Sequence, residues 1–213
     1  GGFEQVAREP SAFDQLPLAE GWGAVTLGLP EVFSPKATAK TVGIPVHNYG
    51  EMAPFEGERY AGFIAWKDDK RTNFAAGTDD PFKPGWSVYS EYLITELTAP
   101  LEEGREYEVS FRVCLAGNSD RAISGIGAFL GPERLSYPHR RFLTEKPQVS
   151  ADGILGDRAT WIAVQGRFVA DGGEKFLVLG TFPSAEFDTR NIIEGADNQY
   201  AYYLIDAVSV KSF

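Results

Sequence analysis

Two acidic residues near opposite ends of the sequence have the type and setting expected of a metal site. Asp206 interrupts an apolar, β-branched stretch at residues 202–210, and Glu4 lies in a segment that we expect to form the first strand. An ionised carboxylate inside a sheet is costly unless it is paired or binds a metal. If the first and last strands lie side by side, these acids offer two hard oxygen ligands that suit calcium. The alternative is that Glu4 is exposed at a strand edge and Asp206 accepts backbone hydrogen bonds.

Aromatic side chains around an irregular, polar stretch form a second candidate site. Trp66 and Trp86 flank residues 67–85, and Tyr89 and Glu91 follow on a predicted strand. Flat aromatic faces stack on the apolar CH groups of sugar rings, and the same faces also anchor protein interfaces. We therefore predict ligand contacts at Trp66, Trp86, Tyr89 and Glu91. The alternatives are that the tryptophans pack under their own loop and that Glu91 is an outward acid on a half-exposed strand.

Motifs for catalysis are weak in this sequence. Ser124 lacks the glycine two positions earlier that a nucleophile elbow requires. The two histidines, His47 and His139, are far apart in the chain and neither lies in a zinc-binding motif. A glycosidase needs two carboxylates across a cleft, and among 30 acidic residues some pair always qualifies. We predict a non-catalytic protein, with a glycoside hydrolase left open.

The charge of the chain limits its partners. The formal net charge is −10 and the sequence pI is about 4.7, and basic residues are scattered. This pattern argues against nucleic acid, whose phosphates attract clustered Lys and Arg. Because no apolar run approaches the roughly 20 residues of a membrane span, membrane insertion is not expected. The only cysteine, Cys114, has no partner for an internal disulfide, and we interpret it as a small buried thiol.

Short alternating segments and many turn residues predict an all-β protein. Residues 105–116 alternate most clearly, and residues 160–169 and 175–182 look like a hairpin around the Gly172 and Gly173 turn. About ten or eleven strands predict a two-sheet antiparallel β-sandwich of the jelly-roll kind. We expect residues 1–213 to form a single domain. Long loops are predicted at about 67–87, 131–158 and 183–199.

Several stretches together resemble a known family, the galactose-binding-like, carbohydrate-binding-module-like jelly-roll domains found beside OmpA-like domains in secreted and outer-membrane bacterial proteins. The matching stretches run from end to end of the chain: 2–4, 21–22, 42–45, 59–62, 91–93, 97–101, 161–166, 172–174 and 202–206.

The resemblance implies a structural calcium with a specific ligand set. Its ligands would be the Glu4 and Asp206 carboxylates, the Gly2 carbonyl and an oxygen from the turn that contains Glu56 and Glu58. One position departs from the family pattern, because Ala207 replaces a second acid and removes one ligand.

These expectations combine into a non-catalytic β-sandwich that is extracellular or associated with the outer membrane. Its expected partner is a polysaccharide or a cell-surface glycan, as for a carbohydrate-binding or adhesion module. A sequence that opens on strand-forming residues, with no leader in view, is typical of a processed, exported form. The alternative is a structural subunit of a surface assembly or filament that associates with copies of itself.

Overall fold

The computed structural model describes residues 2–68, 88–183, 187–193 and 200–213 of the chain. Within these residues the backbone forms fifteen β-strands and two short 3₁₀ helices, at Leu16–Leu18 and Lys40–Val42. The strands are β1 Trp22–Ala24, β2 Glu31–Phe33, β3 Val46–His47, β4 Gly50–Glu51, β5 Tyr60–Asp68, β6 Val88–Tyr89, β7 Leu93–Glu96, β8 Glu106–Leu115, β9 Arg121–Ile123, β10 Ile126–Gly131, β11 Val149–Ser150, β12 Ile162–Val169, β13 Phe176–Thr181, β14 Thr189–Asn191 and β15 Tyr200–Ser212.

Two antiparallel sheets pack face to face. The six-stranded sheet has the order β12-β8-β15-β5-β2, with β6 also paired to β5, and the five-stranded sheet has the order β1-β7-β13-β10-β11. Two small two-stranded pairs, β14-β9 and β3-β4, lie outside them. This confirms the predicted two-sheet antiparallel β-sandwich of the jelly-roll kind.

The main core lies between the two sheets. Strand β8 shows how the sequence builds it, because Val109, Phe111 and Val113 are buried whereas Ser110 and Arg112 on the opposite face are only partly covered. Side chains of a strand alternate between faces, so this period of two assigns the apolar set to the core. The polar set is thereby placed on the outer face of the six-stranded sheet.

Part of that outer face is covered by residues 34–52. The rings of Tyr49 and Tyr202 stack with centroids 3.5 Å apart, and Phe33 and Tyr60 belong to the same buried cluster. These contacts cover β2, β5 and the first part of β15. The β12, β8 and late β15 portion carries exposed side chains instead, which leaves it open as a surface.

The prediction that the first strand lies beside the last is wrong. Strand β15 is hydrogen-bonded to β5 on one side and to β8 on the other, so both of its edges are occupied. Residues 3–7 form no strand; Phe3 packs on Trp22 with ring centroids 4.6 Å apart, and Val6 makes an isolated bridge to Ala19. The first residues of the chain therefore pack beside β1.

The predicted hairpin at residues 160–182 is also wrong, although both of its strands exist. Strand β12 pairs with β8 in one sheet, whereas β13 pairs with β10 and β7 in the other. The turn between them has positive φ at Gly172 and Gly173, and the Glu174 carboxylate accepts hydrogen bonds from the N–H groups of Asp171 and Gly172 at 2.8 and 2.9 Å. This turn carries the chain from one sheet to the other.

Of the three predicted long loops, residues 131–158 are described throughout. They contain β11, and Leu135, Tyr137 and Leu143 pack against the outer face of the five-stranded sheet. Most of 67–87 and part of 183–199 lie outside the described residues, and the single-domain assignment stays a prediction. In the described part of the chain, no helix has the length and apolar character needed to cross a membrane.

Candidate functional site

The open part of the six-stranded sheet carries a row of polar side chains. The strand register places Gln165 of β12 opposite Ser110 of β8, and Ser110 opposite Ser209 of β15. Residues directly opposite each other in antiparallel strands face the same side of the sheet. One amide and two hydroxyl groups therefore form the floor of a groove with a volume of about 320 Å³.

An aromatic ring and a guanidinium group form one wall of this groove. Phe55 is 46% exposed, and the guanidinium carbon of Arg112 lies 4.7 Å from the centroid of its ring. Arg112 belongs to β8, two residues beyond Ser110, so it projects on the same face of the sheet. A planar cation over a ring at this distance makes a favourable cation–π contact, which holds both groups in place.

A β-bulge in β15 positions Phe55. The register with β8 shifts between Asp206 and Ser209, and Ala207 within the bulge has a φ of 53°. The Asp206 carboxylate accepts hydrogen bonds from the N–H groups of Phe55 and Glu56 at 2.8 and 3.1 Å. The acid that interrupts the last strand therefore anchors the turn that presents the aromatic wall.

Burial raises the pKa of Asp206 to about 6. Backbone N–H donors from Glu56, Ala207 and Phe55 act in the opposite direction and stabilise the carboxylate. Desolvation of this fully buried side chain outweighs those three hydrogen bonds.

Glu4 reaches the same turn from the other end of the sequence. Its two carboxylate oxygens accept hydrogen bonds from the N–H groups of Glu58 and Arg59 at 3.0 and 3.1 Å. An added Cβ at Gly57, where φ is 64°, would lie 2.3 Å from Glu4 Oε1. The turn thus needs glycine so that the carboxylate can approach the backbone closely.

The predicted calcium ligands are only partly brought together. Glu4 and Asp206 converge on the 55–59 turn as expected, but the groups that reach their oxygens are backbone N–H donors. Glu58 points outward, 3.6 Å from Lys36 Nζ, with 59% of its side chain exposed. Gly2 lies near Glu4 and Glu56, as a Cβ added there would be 3.9 Å from Glu4 Oε1 and 4.0 Å from Glu56 Oε1.

Across the described ranges, no group of three or more His, Cys, Asp or Glu side chains is gathered for a metal ion. The arrangement fits a hydrogen-bonded clip between two distant acids and one turn. The calcium set stays a prediction.

The predicted aromatic platform of Trp66, Trp86 and Tyr89 is less exposed, in its described part, than the groove. Trp66 is half-buried and packs against the main core, with the Arg121 guanidinium carbon 5.2 Å from its ring centroid. Tyr89 is also half-buried. Trp86 lies outside the described residues, so this part of the platform stays a prediction.

Glu91 is inside the protein and its carboxylate is occupied. The side chain is 1% exposed, and its oxygens accept hydrogen bonds from Ile64 N–H at 2.7 Å and Tyr89 O–H at 2.6 Å. Burial raises its pKa to about 8. Neither the ligand contact nor the outward-facing alternative describes this acid, which ties the connection between β6 and β7 to β5.

A second buried acid, Glu31, lies in the same region. The Tyr202 hydroxyl donates a hydrogen bond to its carboxylate, and burial holds the pKa of Glu31 well above its usual range. Repulsion between the ionised forms of Glu31 and Glu91 also raises the pKa of Glu31. These acids are retained in the interior by tyrosine donors, and they are not accessible as a pair across a cleft.

A larger cavity, of about 560 Å³, lies where the ends of the two sheets meet. Trp22 and Tyr107 line it, but they are 9% and 7% exposed and present almost no free ring face. Leu177 and Val208, which also line it, belong to the main core. This cavity is therefore lined in part by residues of the main core, and it lacks the complete row of amide and hydroxyl groups that forms the floor of the groove.

Sequence reasoning placed Ser110 and Arg112 on one face of a strand but did not find the groove. The alternation at residues 105–116 was a sufficient signal for that face. The partners Gln165 and Ser209 depend on strand pairing across more than 50 residues, and Phe55 depends on the bulge. No local pattern in the sequence encodes those placements.

Comparisons with known proteins give distant structural likenesses only. No protein-family model matches the chain, and no curated protein matches it in sequence.

Among solved structures, the CBM22-1 xylan-binding domain of Paenibacillus barcinonensis Xyn10C aligns with 99% of this chain and 90% of its own, at 14% identity and a TM-score of 0.44. The tandem CBM22-1–CBM22-2 domains of the same protein align with 100% and 44%, at 15% identity and a TM-score of 0.49. The K1 cleaved adhesin domain of Lys-gingipain from Porphyromonas gingivalis W83 aligns with 100% and 96%, at 11% identity and a TM-score of 0.46. Because all three scores lie below 0.5, they carry no weight for function.

Proposed function

We propose that this protein is a non-catalytic carbohydrate-binding or adhesion module that binds a glycan chain in the groove on β12, β8 and β15. The observation that carries the proposal is the exposed Phe55 ring beside a floor of Gln165, Ser110 and Ser209. An aromatic face takes the CH side of a sugar ring, and amide and hydroxyl groups bond to its hydroxyls. The groove volume of about 320 Å³ is at the lower end of ligand sites.

The acids near the groove support a binding role over hydrolysis. Hydrolysis of a glycosidic bond requires two carboxylates that face each other across the bond. Asp206 is fully buried and its oxygens accept three backbone hydrogen bonds, which leaves Glu56 as the acid that lines the groove in the described structure. A single carboxylate does not supply the acid and the base or nucleophile of that reaction.

The proposal includes an extracellular or outer-membrane-associated location, a polysaccharide or cell-surface glycan as partner, and a structural calcium at the 55–59 turn. What supports the calcium is the convergence of Glu4 and Asp206 on that turn, together with the raised pKa of Asp206. A carboxylate that is not fully compensated by N–H donors favours a nearby cation. The N–H donors themselves favour the metal-free clip, so the two must be separated by experiment.

A polysaccharide-binding panel tests the proposed function. The parent protein should bind at least one polymer, and Phe55→Ala and Gln165→Ala should each weaken that binding about ten-fold or more. Leu27→Ala is the matched control, because Leu27 is 56% exposed and does not line the groove.

A Trp86→Ala variant adds a further arm. Loss of binding in that variant, with normal binding by Phe55→Ala, would move the site to the predicted aromatic platform. Silence of the parent across a broad panel would contradict the module.

The structural-subunit alternative has one supporting observation. Strand β12 is an eight-residue edge strand, and among the described strands it is hydrogen-bonded to β8 alone. Unpaired edges allow sheets of different molecules to join. Light scattering at increasing protein concentration tests this directly: a constant monomer mass supports the binding module, and growth into oligomers supports the subunit.

A further inference from the structure

The groove carries two cationic side chains that have no acidic partner within the described protein. The guanidinium group of Arg112 and the ammonium group of Lys211 make no hydrogen bond or ion pair with any described residue, and both line the groove. Glu56 is the one acidic side chain among the described lining residues. This local excess of positive charge is opposite in sign to the formal net charge of the whole chain, which is −10.

We infer that the groove selects an acidic polysaccharide, one whose sugar units carry carboxylate groups. This inference rests on the proposed function and names the class of glycan for the same groove. Its first support is the presentation of Arg112. The cation–π contact places its guanidinium carbon 4.7 Å from the centroid of the exposed Phe55 ring, and no described acidic side chain pairs with its N–H groups. The N–H fork of a guanidinium matches the two oxygens of a carboxylate.

The nearest acid to Arg112 in the sheet is already satisfied. Asp206 is the direct cross-strand neighbour of Arg112, yet its oxygens accept hydrogen bonds from the N–H groups of Phe55, Glu56 and Ala207. The oxygens of Asp206 are turned to those donors, and the carboxylate makes no ion pair with the Arg112 guanidinium. A ligand carboxylate is the group that completes this arrangement.

Lys211 provides the second positive charge at the other end of the floor. It lies opposite Glu108, whose carboxylate instead pairs with Arg167 at 3.4 Å. Four residues of β8 separate Arg112 from Glu108, a distance of about 14 Å along an extended strand. Charges this far apart suit a polymer with repeated acidic units better than a single acidic sugar.

The floor between the two cations distinguishes a saccharide from a simple anion. Gln165, Ser110 and Ser209 can bond to the neutral hydroxyl groups of a sugar, and Phe55 offers an apolar face. A small inorganic anion could accept hydrogen bonds from the same amide and hydroxyl groups, but it makes no use of the apolar ring. The combination specifies sugar rings that carry negative charge.

The decisive experiment compares polygalacturonate with its fully methyl-esterified form, in sodium buffer without calcium. The two polymers share a backbone, and the ester removes the charge. The parent should bind polygalacturonate at least ten-fold more tightly than the ester, and this preference should shrink as salt increases because the contacting charges are partly exposed.

Charge-removing variants assign that preference to the groove. Arg112→Gln should weaken binding of polygalacturonate about 10- to 100-fold, the range of a charged hydrogen-bonded contact. Lys211→Gln, at an exposed position, should weaken it by a smaller factor. Arg105→Gln removes the same charge from a site paired with Glu102 at 2.9 Å and should leave the affinity unchanged. Arg112→Lys keeps the charge without the fork and should recover only part of the loss.

The outcomes separate this inference from the proposed function. Equal binding of the acid and the ester, lost in Phe55→Ala, overturns the acidic selectivity and leaves a glycan-binding groove. Equal binding of dextran sulfate and polygalacturonate overturns the carboxylate assignment. Failure to bind any polymer contradicts both. Melting temperatures close to that of the parent are required of each variant before its affinity is interpreted.

Discussion

Replacing Glu91 by glutamine should remove the contribution of this one carboxyl group to the pH dependence of stability between pH 5 and pH 8. The folded-state pKa of Glu91 is about 8, because the side chain is buried, and the ordinary value is 4.5. Below pH 4.5 both folded and unfolded states hold the proton and there is no cost. As pH rises from 4.5 to 8, the unfolded state loses this proton while the folded state retains it, so stability falls. Above pH 8 the cost is constant.

The size of the effect follows from the pKa difference. Each pH unit in this window costs about 1.4 kcal/mol, so the three units from pH 5 to pH 8 cost the parent about 4 kcal/mol. In Glu91→Gln the amide oxygen still accepts the Ile64 N–H, and the amide nitrogen faces the Tyr89 hydroxyl, which also accepts hydrogen bonds. The variant should therefore fold, and it has no carboxyl group at position 91 to titrate.

Urea unfolding followed by tryptophan fluorescence at pH 5, 6, 7 and 8 measures this prediction. The free energy of unfolding of Glu91→Gln, relative to that of the parent, should rise by several kcal/mol from pH 5 to pH 8. Glu96→Gln is the control, because Glu96 is 49% exposed and pairs with Lys175 at 2.7 Å. If the difference between Glu91→Gln and the parent is the same at pH 5 and pH 8, the carboxylate is not protonated in the folded protein and the reasoning fails.

Three further predictions concern the 55–59 turn and the buried thiol. Gly57→Ala should lower the free energy of unfolding in urea by about 3 kcal/mol, since it adds a collision with Glu4 to the strain of a positive φ. Gly104→Ala also has a positive φ but open space around it, and should lower it by about 1 kcal/mol. Equal losses in the two variants would contradict the close approach of Glu4 to the turn. Cys114 is buried, which raises its pKa to about 12, so a thiol reagent should label it only after unfolding; rapid labelling of the native protein would show an accessible thiolate. If calcium binds at the clip, the melting temperature of the parent should rise by several degrees in calcium relative to chelator, and that of Asp206→Asn should not; identical midpoints in both proteins would remove calcium from the proposal.

Elements defined by a local pattern were predictable from the sequence. Strand β8 follows from the alternation around Val109 and Phe111, because burial on one face of a strand repeats every two residues. The prediction that Cys114 is a small buried thiol is also confirmed. It depended only on the position of the residue in this strand. These features depend on neighbours close in the chain.

Strand partners were not predictable in the same way. The apolar stretch of β15 is compatible with any edge that has a matching face, and the sequence does not state that β5 and β8 occupy both sides. Likewise, the Gly172 and Gly173 turn permits either a hairpin or a passage between sheets. Tertiary packing selects between such alternatives, and local residue preference does not distinguish them.

The candidate site shows the same division. The convergence of Glu4 and Asp206 on the 55–59 turn was predicted, but their hydrogen bonds to backbone N–H groups were an open alternative, because every residue except proline carries that donor. Phe55 gave no sequence signal, since its position beside Arg112 depends on the bulge at Ala207. A site assembled from three strands and one turn is visible only once the sheet is formed.

An NMR titration of the isotope-labelled protein with a short fragment of a bound polysaccharide tests the groove most directly. Binding in the groove predicts that the largest chemical-shift changes fall on the backbone amides of Ser110 and Ser209 and on the side-chain amide of Gln165. The amides of Trp66 and Tyr89 should shift little. Large changes at Trp66 and Tyr89 with none at the three groove residues would contradict the assignment of the groove as the binding site.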